Sequence, residues 1–250
     1  PGPRRQGYVV AVPRIAREAG IAGLYLALAA FVTWPWPTDL WTQAVGGDSA
    51  VYEWSFYWSA ASALDLSNPW FSSDIYAPQG TYLANHSLLL LPALLELPLY
   101  GALGPIRAYN VSVLIWLALA AYAGYRLALV LVARRPAAVV AGALYAMGPT
   151  IAFRTVQPGM VLLAALLPLA LLAARSLARR RTVGSAVVLG LVLAAVFLTD
   201  VLISAYVLIA MVGYAIVTLA RSPAWRTRRA LMLSGVVLLG LVFLQETRRR

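Results

Sequence analysis

Apolar runs separated by short, Arg-bearing breaks fill most of this chain. They cover residues 20–37, 87–103, 108–132, 137–153, 159–174, 183–199, 201–220 and 231–245. About 20 apolar residues are enough for a helix to cross the hydrocarbon layer, so most of these runs predict transmembrane helices. They continue close to the C-terminal end, which a secretory signal does not do. The first run closes on Trp34-Pro35-Trp36-Pro37. Tryptophan suits the membrane–water boundary, and proline stops a helix.

The segment 38–86 interrupts the pattern. Within it, Asp48 to Leu66 predicts a helix, with Val51, Trp54, Trp58 and Ala61 spaced to form one apolar face. Gly46-Gly47 precede it, and Asp48 or Ser49 can cap its N-terminus. Its aromatic side chains suit a helix lying in the interface plane. A turn-rich stretch follows, from Asn68-Pro69-Trp70 to Ala77-Pro78-Gln79-Gly80.

Composition sharpens this picture. Of 250 residues, 62% are hydrophobic and 12% charged, against about half and a quarter in soluble domains. The net charge of +11 comes from 20 Arg and no Lys. Because these Arg sit in clusters between apolar runs, they predict membrane orientation and headgroup contact, and not nucleic-acid binding. The absence of Cys excludes disulfides and thiol chemistry. Five of the nine acids fall in 38–86, and no Arg occurs between Arg17 and Arg107. A long loop free of basic residues is what a translocated loop looks like.

Arg placement also sets the expected topology. If 87–103 does not cross, fourteen of the twenty Arg face the cytoplasm, including the N-terminal set, Arg134/Arg135, the 175–181 cluster and the 221–229 cluster. If it crosses, the last three clusters move outside, against the positive-inside rule. Glu96 in the middle of this run, between Pro92 and Pro98, also argues for an interfacial or re-entrant helix. The expected fold class is an all-α membrane protein of about seven transmembrane helices, with amphipathic juxtamembrane helices in the first extracytoplasmic loop. Its parts are a basic cytoplasmic N-terminus (1–19), a first transmembrane helix (20–37), an extracytoplasmic loop (38–106) and the remaining transmembrane helices (107–250). The expected location is the inner or plasma membrane. The chain starts at Pro1, and the last run would place Arg248, Arg249 and Arg250 outside, so a fragment of a longer protein is expected.

Few residues can carry chemistry. Asp48 could accept a proton from an attacking hydroxyl or ligate a divalent cation; its plain alternative is an N-cap. Glu53 is a solvated or headgroup-facing acid. His86 is the only His, a polar contact at the loop's end or the one available imidazole. Arg154, after Gly148-Pro149, either snorkels to headgroups or meets a phosphate. Asp200 is either a hairpin-turn residue or a polar group facing the same outer cavity. No phosphate-binding Gly loop, zinc-protease helix or dinucleotide fingerprint occurs.

The order of short motifs carries a resemblance. Gly47-Asp48-Ser49-Ala50-Val51-Tyr52-Glu53-Trp54 follows the first run. Asn68-Pro69-Trp70, Tyr76-Ala77-Pro78-Gln79-Gly80-Thr81-Tyr82-Leu83 and Asn85-His86 come next. Gly104-Pro105-Ile106-Arg107-Ala108-Tyr109-Asn110, Gly148-Pro149 and Arg154 complete the series. Over residues 20–220 this resembles the N-terminal module of bacterial GT-C-type membrane glycosyltransferases, near the dolichyl-phosphate-mannose-protein mannosyltransferase-like and YfhO-like groups. The resemblance implies a polyprenyl-phosphate-linked sugar as donor and a glycan, lipid or protein as acceptor. It implies Asp48 as the catalytic acid of the first loop and Arg154 as the donor-phosphate ligand. Glu53, Trp54, Trp58, His86, Gln157 and Asp200 become candidate donor or acceptor contacts. Gln157-Pro158-Gly159 stands where a His-containing version is expected.

The leading expectation is an inverting transfer at the outer membrane surface. A non-catalytic or truncated scaffold in cell-surface glycan assembly is the alternative. A transporter fits less well, because only one broken segment and no inverted repeat are visible.

Overall fold

The computed structural model describes residues 14–39, 49–83 and 88–221. Among the described residues the fold is all-α apart from one small hairpin. Its helices are α1 (Arg14–Val32), α2 (Ser49–Leu64), α3 (Leu90–Leu103), α4 (Pro105–Val132), α5 (Arg135–Met147), α6 (Pro149–Ala152), α7 (Pro158–Arg180), α8 (Val183–Thr199) and α9 (Val201–Arg221). The strands β1 (Phe71–Ser72) and β2 (Thr81–Tyr82) pair antiparallel, Phe71 opposite Tyr82 and Ser72 opposite Thr81. Gly80 closes the hairpin at φ +69°, where a Cβ would stand 2.5 Å from the Phe71 ring and 2.8 Å from the Ser72 carbonyl oxygen. Only glycine meets both demands.

Among the described residues three helices are long and apolar enough to cross a membrane: α1, α4 and α7. There are four if α5 and the Pro149–Thr155 segment, bent by 41° at their junction, form one broken span. The expected seven are not all met. Helix α8, at 17 residues, and the apolar part of α9 are shorter, and the 231–245 run lies outside the described residues. The first helix begins at Arg14, earlier than its apolar run, and ends at Val32 before the proline pair. Large apolar side chains line the outside of the helices, among them Phe31, Leu131, Leu144, Leu191 and Ile209.

Two-residue connections between α4 and α5 and between α7 and α8, and the single Asp200 between α8 and α9, make successive helices antiparallel. The core lies where α4 packs on α1, α5 and α7, around Tyr25, Tyr109, Leu117, Tyr125 and Val161. At Gly142 a Cβ would lie 2.5 Å from the Ala121 carbonyl oxygen and 2.6 Å from the Tyr25 hydroxyl. The missing side chain lets α5 touch α4 and lets Tyr25 donate to the Val139 carbonyl at 2.9 Å.

The proline inside α7 is compensated from a neighbouring helix. Pro168 in α7 has no N–H for the carbonyl of Ala164, four residues back. The Tyr145 hydroxyl of α5 donates to that oxygen at 2.8 Å. Gly124 of α4 makes the space, since a Cβ there would sit 2.9 Å from the Tyr145 ring.

The predicted non-crossing run is α3. Its 14 residues span about 21 Å, less than the roughly 30 Å of a hydrocarbon core. It packs on α2, α4 and α8. Gly104, at φ +79°, reverses the chain from α3 into α4. Pro92 lies in the first turn of α3, where a missing N–H costs little. The carbonyl of Leu88, four residues before it, instead accepts from the buried Ser59 hydroxyl of α2 at 2.8 Å.

Candidate functional site

Helix α2 meets the bundle through small side chains. Its buried positions are Ser55, Phe56, Ser59 and Ser62. Ser55, Ser59 and Ser62 recur at helical spacing, so small side chains form the face that meets α3 and α4. Two of these hydroxyls donate to backbone carbonyls, Ser55 to Val51 O at 2.9 Å and Ser59 to Leu88 O. Phe56 fills the remaining space against Tyr109 and Trp116 of α4. Val51 is 46% exposed. Trp54, Tyr57 and Trp58 lie off the serine-lined face.

That outward face carries Ala50, Glu53, Trp54, Tyr57 and Trp58, which share one side of a 3.6-residue helix. Trp54 and Trp58 stack with ring centres 5.8 Å apart and planes 11° from parallel. Trp58 is held by donating its indole N–H to the Pro69 carbonyl at 3.0 Å. One groove of about 310 Å³ is lined by Ala50, Glu53, Trp54 and Tyr57 of α2 with Tyr100 and Pro105. A second, of about 450 Å³, is lined by Trp58, Ser67, Asn68, Phe71 and Tyr82. The stacked indoles therefore join a groove bearing a carboxylate to a neutral one of rings, hydroxyl and amide.

Arg154, Gln157 and Asp200 lie at the same end of the bundle as these grooves. A Cβ on Gly159, at the start of α7, would meet Leu89 at 2.3 Å and the Thr199 carbonyl oxygen at 3.9 Å. The starts of α3 and α7 and the end of α8 thus converge, and Trp70 lies against Phe197 of α8 with ring centres 6.5 Å apart. Arg154 is exposed and donates to the Gln157 side-chain oxygen at 2.7 Å. Asp200 is buried and ends α8. Neither groove is lined by Arg154, Gln157 or Asp200. Asp48 and His86 lie outside the described residues.

Glu96 is the residue whose environment the sequence leaves unread. It is 3% exposed, and its Oε2 has no hydrogen-bond partner. Burial pushes its carboxyl up to about 8, and the Glu53 carboxylate across the α2–α3 contact adds repulsion. A central acid in an apolar run signalled an unusual site; only packing places it against a second acid. Among the described residues no group of three or more His, Cys, Asp or Glu side chains gathers, so they offer no donor set for the divalent cation that Asp48 suggests.

The far end of the bundle has the opposite character. Arg14 and Arg17 at the start of α1, Arg134 and Arg135 between α4 and α5, and Arg175, Arg179, Arg180 and Arg181 at the end of α7 collect there. Glu18 accepts from the Tyr122 hydroxyl at 3.1 Å within the same ring. No protein-family profile, curated protein or solved structure matches the chain.

Proposed function

We propose that this chain is the membrane module of a glycosyltransferase that uses a polyprenyl-phosphate-linked sugar at the extracytoplasmic face. The observation that carries the reading is sidedness. Eight Arg ring one end of the bundle, while the aromatic and acidic segments around α2 and α3 share the other end with Arg154 and Asp200. By the positive-inside rule the Arg end is cytoplasmic. With the α1 N-terminus inside, α2, α3 and the loop hairpin lie outside. Helices α8 and α9 then count as further spans of a bundle in an inner or plasma membrane.

In this reading Asp48 takes the proton of the acceptor hydroxyl as that oxygen attacks the sugar's anomeric carbon. The bond from that carbon to the phosphate oxygen breaks, and the departing phosphate gains negative charge. Arg154, exposed and donating to the Gln157 side-chain oxygen, is the guanidinium assigned to meet that charge. Attack from the face opposite the leaving phosphate inverts the configuration.

A non-catalytic scaffold is the second reading. It is favoured by Arg154 being engaged by Gln157 outside both grooves. The test uses the full open reading frame in membranes supplied with radiolabelled polyprenyl-phosphate sugars. Transfer by the wild type that falls at least about a hundredfold in Asp48→Asn and tenfold or more in Arg154→Ala supports the transferase. Equal transfer by wild type and Asp48→Asn removes Asp48 from the chemistry. No transfer by any of them supports the scaffold.

A further inference from the structure

We propose that the outward face of α2 is a docking track for a neutral oligosaccharide, running from Glu53 across the Trp54–Trp58 stack to Asn68 and Tyr82. As the acceptor strand of a sugar transfer this rests on the reading above, but the docking is measurable without it.

Three features point to a saccharide. A pyranose ring has apolar C–H faces and a polar hydroxyl rim, so its binding sites combine flat aromatic surfaces with hydrogen-bonding groups at their edges. Trp58, Phe71 and Tyr82 supply the rings, and Ser67 and Asn68 the edge groups. The Asn68 Oδ1 is committed to the Trp70 backbone N–H at 3.0 Å, which turns its amide N–H groups to a ligand. The grooves, about 310 and 450 Å³, fall in the range of small-ligand sites, about 300–1,000 Å³.

The rings are also held in place. Trp58 is fixed through Pro69 and by stacking on Trp54, and Phe71 meets Tyr82 edge to face at 5.2 Å. Preformed aromatic walls lose little freedom on binding.

Charge separates this occupant from a phospholipid. The described residues between Ala50 and Pro105 include Glu53, Asp65, Asp74 and Glu96 and no Arg or Lys, and Arg107, in the first turn of α4, lines neither groove. A phosphate headgroup would meet a carboxylate in the first groove and no cation in either. A neutral sugar chain can donate its hydroxyls to Glu53 while its ring faces cover the indoles.

The test places the full chain, fluorescently tagged in lipid nanodiscs, on an array of neutral and acidic oligosaccharides. Retention on neutral oligosaccharides, reduced about tenfold by Trp58→Ala and severalfold by Asn68→Ala and Tyr82→Ala, supports the track. Asn68 and Tyr82 are exposed, so their variants report binding where Trp58→Ala also disturbs folding. No retention on any neutral glycan overturns the proposal, as does retention unchanged in the Asn68 and Tyr82 variants. The chain has no Cys, so a spin label at Tyr57→Cys reports one place. Greater contact with a lipid-soluble relaxant than with a water-soluble one assigns this face to the membrane and overturns the track. Glycan retention without sugar transfer leaves the track standing and removes the transferase; transfer with no retention does the reverse.

Discussion

At the residue scale, Glu96 concentrates the unusual energetics. Its carboxyl, raised from 4.5 to about 8 in the folded chain, holds a proton that the unfolded chain releases over that interval. The folded state binds more protons there, so stability falls as pH rises from about 4.5 to about 8, at up to about 1.4 kcal/mol per pH unit. Thermal unfolding in detergent between pH 5 and 9 is expected to show this decline. Glu96→Gln should flatten it and leave the protein more stable than wild type at pH 9, because a neutral amide occupies the cavity at every pH. An unaltered pH profile in the variant would assign the decline to other groups. The same neighbourhood shows what sequence can tell: an acid in mid-run marks an unusual position, but only folding makes Glu53 its neighbour.

At the scale of elements, helices are joined by backbone carbonyls that accept side-chain hydroxyls from adjacent helices. Tyr145→Phe keeps the ring beside Gly124 but strands the Ala164 carbonyl below Pro168. A loss of about 1–3 kcal/mol in thermal or denaturant unfolding is expected. Gly142→Ala drives a methyl group into the α4 backbone and should cost a similar amount, about 1–3 kcal/mol. Gly190→Ala, where a Cβ meets nothing within 4 Å, is the control and should be neutral or stabilising by up to about 1 kcal/mol. Thr182 opens α8 with a capping box, its hydroxyl accepting from Ser185 N–H. Thr182→Ala should cost about 1 kcal/mol in the same assay. The α2 face is the lesson at this scale. The spacing of Val51, Trp54, Trp58 and Ala61 predicted one apolar face, and the serines at 55, 59 and 62 line the buried contact. Small residues at helical spacing, already visible in the chain, are the signal for close helix approach.

For the whole molecule, the distribution of charge between the two ends is the testable feature. Without native Cys, single cysteines report sidedness one at a time. In membrane vesicles of known orientation, Ser73→Cys and Gln79→Cys should react with an impermeant maleimide from one side, and Ala133→Cys and Val183→Cys only from the other. All four positions are exposed. Labelling of all four from one side would break the arrangement from which sugar transfer is argued.

The apolar runs and Arg clusters by themselves determined that this chain builds helices, some of membrane-crossing length, and where several begin and end, and they set the expectation that the 87–103 run is interfacial or re-entrant. Those are local properties, set by hydrophobicity, proline and charge. Tertiary structure decided which face of α2 is buried, how Pro92 and Pro168 are compensated, and that Glu53 faces Glu96. It also decided that Arg154, Gln157 and Asp200 share an end with the α2 grooves without lining them. Each of these depends on contacts between residues far apart in the chain, where the available volume and the pairing of buried polar groups select among faces that local pattern leaves equivalent.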